Sequence, residues 1–168
     1  MDSLHAPWRI DYILAPKSPA APGNNSLFAA IAASNDDVAH HVVARGRTCY
    51  AILNTYPYNG GHLMVVPYKQ VPGLDGLSDE ELLELMRMVR DCQAALRDVM
   101  KPHGFNVGIN LGVVAGAGIV EHLHVHVVPR WNGDANFMPV IAQTSVVPEA
   151  LHDTARKLCE ALARIRSA

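Results

Sequence analysis

The hydrophobic and polar positions of this chain follow two different periods, which predicts strands in some segments and helices in others. Short apolar stretches predict five strands, at residues 40–45, 48–53, 62–66, 105–111 and 122–128. Gly46 joins the first two strands into a hairpin, and Pro67 ends the third. Because such short links join strands that run in opposite directions, the pattern predicts an α+β fold with an antiparallel sheet rather than a doubly wound fold.

The longest amphipathic segment predicts a central helix over residues 78–101. Ser78 and Glu81 have the spacing of a capping box, and acidic residues fill the first turn. The helix is expected to end near Lys101, because the residue before Pro102 avoids helical geometry. Its predicted buried stripe consists of Leu82, Leu85, Met86, Val89, Cys92, Leu96 and Val99.

The two ends of the chain differ in predicted structure. Residues 1–25 contain several prolines and predict an irregular arm, and a short Ala-rich helix is expected over residues 26–33. Residues 148–166 predict a C-terminal helix. A chain of 168 residues is large enough to bury one core, so we predict a single domain spanning residues 1–168.

Composition narrows the class of protein. A net charge of -2 gives no field that attracts nucleic acid nonspecifically, so no nucleic-acid partner is expected. Cys49, Cys92 and Cys159 lack Cys-x-x-Cys spacing, which argues against a thiolate metal site or a disulfide framework and is typical of a reducing compartment. We find no signal peptide or membrane-spanning stretch and expect a cytoplasmic protein without membrane contact.

The stretch that indicates chemistry is the last predicted strand, which carries histidine at every second residue. Because side chains alternate between the faces of a strand, His122, His124 and His126 share one face while Leu123 and Val125 share the other. Histidine has an ordinary pKa near neutrality. Three aligned imidazoles can therefore supply a nucleophile, handle protons and bind phosphate.

Other interpretations of these histidines are open. They could form a solvated sheet face, or they could ligate a metal, since His-x-His on a strand supplies two zinc ligands. A metal site needs a third ligand, however, and Glu121 falls on the opposite face by parity. The spacing therefore favours a metal-independent histidine nucleophile.

A glycine-rich loop over residues 110–118 leads into the histidine strand. Glycines let the backbone approach a ligand closely and turn N–H groups toward one point, which suits phosphate oxygens. The loop lacks the patterns of a Walker loop or a dinucleotide-binding fold. Together with the histidines, it predicts an anion site that contains a nucleophile.

Residues 122–128 fit the pattern His-φ-His-φ-His-φ-φ, with φ apolar, at every position. The flanking segments 54–67 and 128–137 and the stretch 6–9 agree with the same family. The chain resembles the histidine triad superfamily, in the bacterial branch related to fragile-histidine-type dinucleoside polyphosphate hydrolases and diadenosine tetraphosphate phosphorylases. This resemblance implies a histidine-triad-like antiparallel sheet of about five strands, one long central helix and a C-terminal helix.

The resemblance also implies roles for individual residues. His124 is the expected nucleophile, His122 and His126 are expected to orient groups and bind phosphate, and His62 is expected to contact the phosphates. The nucleotide-binding residues expected on the same ground are Ile52 and Met64 for the base, Asn54 for the ribose, and Asn110, Gly116, Ala117 and Gly118 for the polyphosphate.

The resemblance also bears on whether this chain is expected to bind a structural zinc ion. Several bacterial relatives carry a structural zinc, but residues 26–29 look like its cysteine motif with both cysteines replaced, and Gln70 stands near an expected histidine. We therefore expect no structural zinc, no metal-binding residue and no required cofactor, and His122 becomes available to the active site. A divalent cation carried by the substrate polyphosphate is compatible with this expectation.

These observations predict a nucleotide hydrolase or nucleotidyl transferase that cleaves dinucleoside polyphosphates at the α-phosphate through a nucleotidyl-histidine intermediate. An adenine dinucleotide is the expected substrate, and a homodimer is the expected assembly. Phosphorolysis with orthophosphate as acceptor is the first alternative, and phosphoramidate hydrolysis is another. A nucleotide-binding signalling module with negligible turnover is the alternative outside the enzymes.

Overall fold

The computed structural model describes residues 26–134 and 149–167, and its strands form one antiparallel sheet. The strands are β1 (Val42–Arg45), β2 (Cys49–Leu53), β3 (Leu63–Pro67), β4 (Gly104–Ile109) and β5 (Val125–Arg130). Their order across the sheet is β1-β2-β3-β5-β4, so β4 lies at one edge and β5 lies between β3 and β4.

Helices lie before, between and after these strands. They are α1 (Leu27–Ala33), α2 (Asp37–His40), α3 (Asp79–Met100) and α4 (Leu151–Ser167), with single 3-10 turns at Leu74–Gly76 and Val113–Ala115. The predicted α+β class, the antiparallel sheet, the central helix and the C-terminal helix are confirmed. In the described part of the chain, no helix is long and apolar enough to cross a membrane.

The predicted capping box fixes the start of α3. The Ser78 hydroxyl accepts a hydrogen bond from the backbone N–H of Glu81 at 3.3 Å, and the Ser78 N–H donates to the Glu81 carboxylate at 2.7 Å. The helix ends at Met100 because Lys101 adopts a left-handed conformation. One position of the predicted stripe is wrong, since Met86 is exposed and Met88 is buried in its place.

The two faces of the sheet pack against different helices. One face carries the main core, where alternate strand residues such as Leu53, Val65 and Val125 cluster with buried residues of α3 and α4. On the opposite face, Ile52 and Met64 cluster with side chains of α1. The alternation of a strand therefore sends neighbouring residues either to the core or to the second face.

Several predicted boundaries shift. The first strand begins at Val42 rather than at residue 40, because Asp36 caps α2 and His41 turns the chain with a left-handed φ of 56°. The histidine segment was predicted as strand from residue 122, but its ladder begins at Val125. The predicted arm over residues 1–25 and the segment 135–148 lie outside the described residues, so the prediction of a single domain remains untested.

Candidate active site

A cavity of about 610 Å³ lies on the face of the sheet that α1 covers. Its floor is a row of side chains on paired strands, since Met64 of β3 is in register with both His126 of β5 and Ile52 of β2. Two strand spacings separate Ile52 from His126, or about 10 Å. The cavity floor thus runs from the apolar side chain of Ile52 to the imidazole ring of His126.

His124 has the geometry of a nucleophile. It lines the cavity, is 6% exposed, and has its Nδ1 2.9 Å from the carbonyl oxygen of His122. A carbonyl only accepts hydrogen bonds, so Nδ1 carries the proton and Nε2 keeps its lone pair in the neutral ring. Burial lowers the pKa of His124, which favours this neutral, reactive form.

His62 and His126 form a directly hydrogen-bonded pair. His62 Nδ1 accepts from the backbone N–H of Tyr58 at 3.1 Å and from the Asn54 side-chain amide at 3.3 Å. The proton of the neutral His62 ring therefore lies on Nε2, which donates to His126 Nδ1 at 2.9 Å. This bond places the proton of the neutral His126 ring on Nε2, and the His126 side chain lines the cavity.

The loop between β2 and β3 holds this pair in place. Asn54 Oδ1 accepts from the backbone N–H of Tyr56 at 2.9 Å, which turns the Asn54 amide group toward His62. The Tyr58 ring packs against both rings of the pair, with centroids 4.7 Å from His62 and 5.6 Å from His126. Asn54 and Tyr58 also line the cavity, so the same loop contacts the His62–His126 pair and forms part of the cavity wall.

His122 occupies a different environment from its two neighbours in the motif. It is 0% exposed and lies outside the cavity lining. Its Nε2 donates to the carbonyl oxygen of Pro67 at 2.8 Å, and its Nδ1 contacts the Ser26 hydroxyl. Of the two predicted roles of His122, orientation of neighbouring groups matches this placement, whereas direct contact with phosphate does not.

Of the other predicted binding residues, five line the cavity and two do not. Ile52, Asn54, Met64, Gly116 and Gly118 are lining residues, whereas Asn110 and Ala117 are not. The structure brings the first five together with His124 and His126, and it places His62 directly behind His126.

Three N–H groups of the glycine-rich loop are hydrogen-bonded within the loop itself. Val113–Ala115 forms a 3-10 turn, and the N–H groups of Ala115 and Ala117 both donate to the Gly112 carbonyl oxygen at 3.3 Å. The Gly116 N–H donates to the Val113 carbonyl oxygen at 2.9 Å. These three donors are used inside the loop, while Gly116 and Gly118 line the cavity.

Part of the cavity wall was missed by the sequence analysis. Leu27, Phe28 and Ile31 of α1 and His40 of α2 also line the cavity. The apolar positions of the short helix were the available signal, but periodicity gives no information on which side of the sheet such a helix packs.

The comparisons with known proteins agree with this arrangement. The HIT domain family model matches residues 35–133, and the chain belongs to this family. The predicted membership of the histidine triad superfamily is therefore confirmed. An AP-4-A phosphorylase of Mycobacterium tuberculosis is 46% identical over 98% of this chain and 86% of its own length.

Two further relatives are more distant. A bis(5'-nucleosyl)-tetraphosphatase (asymmetrical) of Schizosaccharomyces pombe is 37% identical over 58% of this chain and 53% of its own length. The solved structure of a Zn-bound histidine triad family protein from Mycobacterium smegmatis superposes with a TM-score of 0.67 at 26% identity. It covers 85% of this chain and 96% of its own.

The residues at the expected zinc position do not fit that metal. The Ser26 backbone N–H donates to Gln70 Oε1 at 2.8 Å, and the Ser26 hydroxyl contacts His122. Zinc in proteins takes thiolate, imidazole and carboxylate ligands, and this cluster offers one imidazole, a hydroxyl and an amide. Within residues 26–134 and 149–167, no group of three or more His, Cys, Asp and Glu side chains is arranged to hold a metal.

Proposed function

We propose that this protein cleaves dinucleoside polyphosphates, with diadenosine tetraphosphate as the representative substrate, through a nucleotidyl group carried on His124. The observation that carries the proposal is the His124 ring itself: its Nδ1–H is held by a backbone carbonyl, and the ring lines a cavity beside the donor His126. The names of the two enzyme relatives support this substrate class.

The reaction begins with attack by His124. The lone pair on Nε2 forms a bond to the α-phosphorus while the bond from that phosphorus to the bridging oxygen breaks, and the electron pair leaves on the polyphosphate. The His126 Nε2–H stabilises the charge that develops on the phosphoryl oxygens, an interaction typically worth about 3–4 kcal/mol. The polyphosphate is a weak base, so its departure needs little proton transfer from the protein.

The second step releases the nucleotide. An oxygen of orthophosphate attacks the same phosphorus, the phosphorus–nitrogen bond breaks, and its electron pair returns to His124 Nε2. Diadenosine tetraphosphate then yields ATP and ADP. We favour orthophosphate over water as the acceptor because the relative that matches nearly the whole chain at 46% identity is named a phosphorylase.

The product profile tests this proposal. We expect ATP and ADP from diadenosine tetraphosphate in phosphate buffer, with much slower turnover in phosphate-free buffer. Water as the acceptor would instead give ATP and AMP at the same rate in both buffers. No turnover of any adenine or guanine dinucleotide would favour a nucleotide-binding module and contradict the proposed enzyme.

The apolar end of the cavity is the proposed base site. Ile31 of α1 clusters there with the floor residues Ile52 and Met64. This site is about one nucleotide length from the histidines, since Ile52 lies two strand spacings from His126. An adenine base at this end and the α-phosphate at His124 is the arrangement that we propose.

No bound cofactor has a place in the proposed reaction, and a divalent cation enters, if at all, on the substrate polyphosphate. The hydrogen bonds among Ser26, Gln70 and His122 support the proposal that no structural zinc is held there. Metal analysis of the purified protein checks this point, and zinc bound at one equivalent per chain would contradict it.

The proposed assembly is a homodimer formed through the edge strand β4. Its Val107 is exposed, and so are Leu111, Val113 and Val114 in the loop that follows. An unpaired strand edge with apolar neighbours is the kind of surface that pairs with a second copy. Light scattering should show a dimer for the native chain and a monomer for Val107→Glu; a monomeric native protein would contradict the proposal.

We propose a cytoplasmic location because the cysteines are not in disulfides. Cys49, Cys92 and Cys159 are free thiols, of which the first two are buried. Free cysteines are typical of a reducing compartment. Fractionation of the source cells, with immunodetection of the protein, tests the proposed location.

A further inference from the structure

Ser26 links the N-terminal end of α1 to the histidine motif. The residue is 2% exposed and caps α1, because its hydroxyl oxygen accepts from the Ala29 backbone N–H at 3.1 Å. The same hydroxyl group contacts His122 Nδ1, which is 96 residues away along the chain. Its backbone N–H is held by Gln70 at 2.8 Å.

The position of the proton on the His122 ring follows from the two groups to which the ring is hydrogen-bonded. The Pro67 carbonyl can only accept, so His122 carries its proton on Nε2 in the neutral ring. His122 Nδ1 is then an acceptor, and the Ser26 O–H is its donor. Every hydrogen-bonding atom of the His122 ring is thereby used inside the protein, and the ring has one fixed orientation.

This fixed ring matters because the backbone at His122 lacks strand pairing. The ladder of β5 begins only at Val125, yet the His122 carbonyl must be placed correctly to hold the Nδ1–H of His124. A backbone bond from the Leu123 N–H to the Val71 carbonyl oxygen, 2.7 Å long, fixes one side of this segment. The other anchor is the His122 side chain.

We propose that Ser26 is a positioning residue for the reaction proposed above: by holding the His122 ring, it fixes the carbonyl that selects the tautomer and orientation of His124. Ser26 touches neither substrate nor reacting atoms. A hydroxyl group on a helix cap thus anchors the motif by hydrogen bonding, at the position where the sequence resemblance expects a metal ligand.

The helix that begins at Ser26 also forms part of the cavity wall. Phe28, two residues after Ser26, lines the cavity, and its ring lies 5.1 Å from that of His124 and 5.6 Å from that of His122. Phe28 therefore connects the cavity wall beside His124 to the same short helix whose cap residue contacts His122.

The first test compares serine variants at two helix caps. We expect Ser26→Ala to lower kcat on the order of tenfold while changing KM less than about twofold, because misplaced catalytic groups lose rate rather than ground-state binding. Ser26→Thr keeps the hydroxyl and should restore most of the rate. Ser78→Ala is the matched control, since it removes the cap of α3 but leaves kcat unchanged.

A second measurement does not depend on substrate turnover. Nitrogen-15 NMR of the imidazole rings reports which nitrogen of His124 carries the proton. We expect the Nδ1–H form in the native protein and a mixture of tautomers in Ser26→Ala. If that variant does not fold, Ser26→Gly removes the hydroxyl with a smaller loss of helix capping.

The results separate this proposal from the proposed function. Native kcat together with an unchanged His124 tautomer in the Ser26 variants would overturn the positioning role, whatever the substrate. If the native protein turns over no dinucleotide, the proposed function fails, and the NMR comparison still decides the role of Ser26.

Discussion

The two outer histidines of the motif are equally spaced from His124 in the sequence but have contrasting environments. His126 lines the cavity and is hydrogen-bonded to a second imidazole, that of His62. His122 is sealed between the Ser26 hydroxyl and the Pro67 carbonyl oxygen. Equal spacing therefore does not mean an equal environment: one ring lines the cavity, and the other is hydrogen-bonded within the protein interior.

The largest effect is expected at the residue between them. His124→Ala should lower kcat by at least about a thousandfold, because it removes the nitrogen that carries the nucleotidyl group in the proposed reaction. Nucleotide binding, measured by titration calorimetry, should change little, since the base site is intact. His152→Ala, which removes an exposed histidine of α4, is the control and should keep native activity.

Substitution of the two outer histidines tests the contrast directly. His126→Ala removes a side chain from the cavity wall and should lower kcat on the order of a hundredfold. It also takes the partner from the His62 Nε2–H, but water entering from the cavity can replace that partner, so the loss of stability should be smaller than for His122→Ala. His122→Ala leaves the Ser26 hydroxyl and the Pro67 carbonyl without their buried partner. It should lower the free energy of unfolding by about 2–3 kcal/mol, as measured by urea denaturation.

Equal losses of stability in the two variants would contradict the assigned division of roles. The division of roles would also be contradicted by the following pair of results. His126→Ala would keep native kcat, and His122→Ala would fold normally but lose as much activity as His124→Ala.

The pH dependence of stability should reflect the buried rings. Burial lowers the pKa values of His122 and His124 from the ordinary 6.5, so the unfolded chain binds protons more readily than the native protein. Their contribution is complete above pH 6.5 and is lost as the pH falls from there through the lower native values. The variant with both His122→Asn and His124→Asn should show a flatter urea-denaturation profile between about pH 5 and pH 8. Identical slopes for the two proteins would contradict the inferred burial effect.

The smallest effect is expected at the opposite end of the cavity. His40 lies on the same wall as the apolar residues of α1 and can hydrogen-bond the edge of a base. His40→Ala should change the ratio of kcat/KM for adenine and guanine dinucleotides by about fivefold, the value of one hydrogen bond. An unchanged ratio would place the base elsewhere, and His152→Ala again serves as the control.

Local pattern accounts for much of the fold and for the reactive part of the site. Strand alternation correctly separates His126 from the core residue Val125, and the capping box correctly starts α3 at Ser78. A His124 Nδ1 bonded to a backbone carbonyl is also what a neutral nucleophile on this segment requires.

The remaining features depend on contacts between distant parts of the chain. The Ser26–His122 contact spans 96 residues, and no periodicity in either segment encodes it. The same limit applies to His40, whose place in the cavity depends on how α2 and α1 pack beside the sheet. Glycine content likewise does not show which N–H groups of the loop over residues 110–118 bond within a turn.

The central claim is that His124 carries the nucleotidyl group, and intact-protein mass spectrometry after acid quench tests it most directly. During turnover of diadenosine tetraphosphate in phosphate-free buffer, we predict a species heavier by one adenylyl group, mapped to His124 and absent from His124→Ala. Rapid turnover with no adduct on the native protein, or an adduct that persists in His124→Ala, would contradict the account.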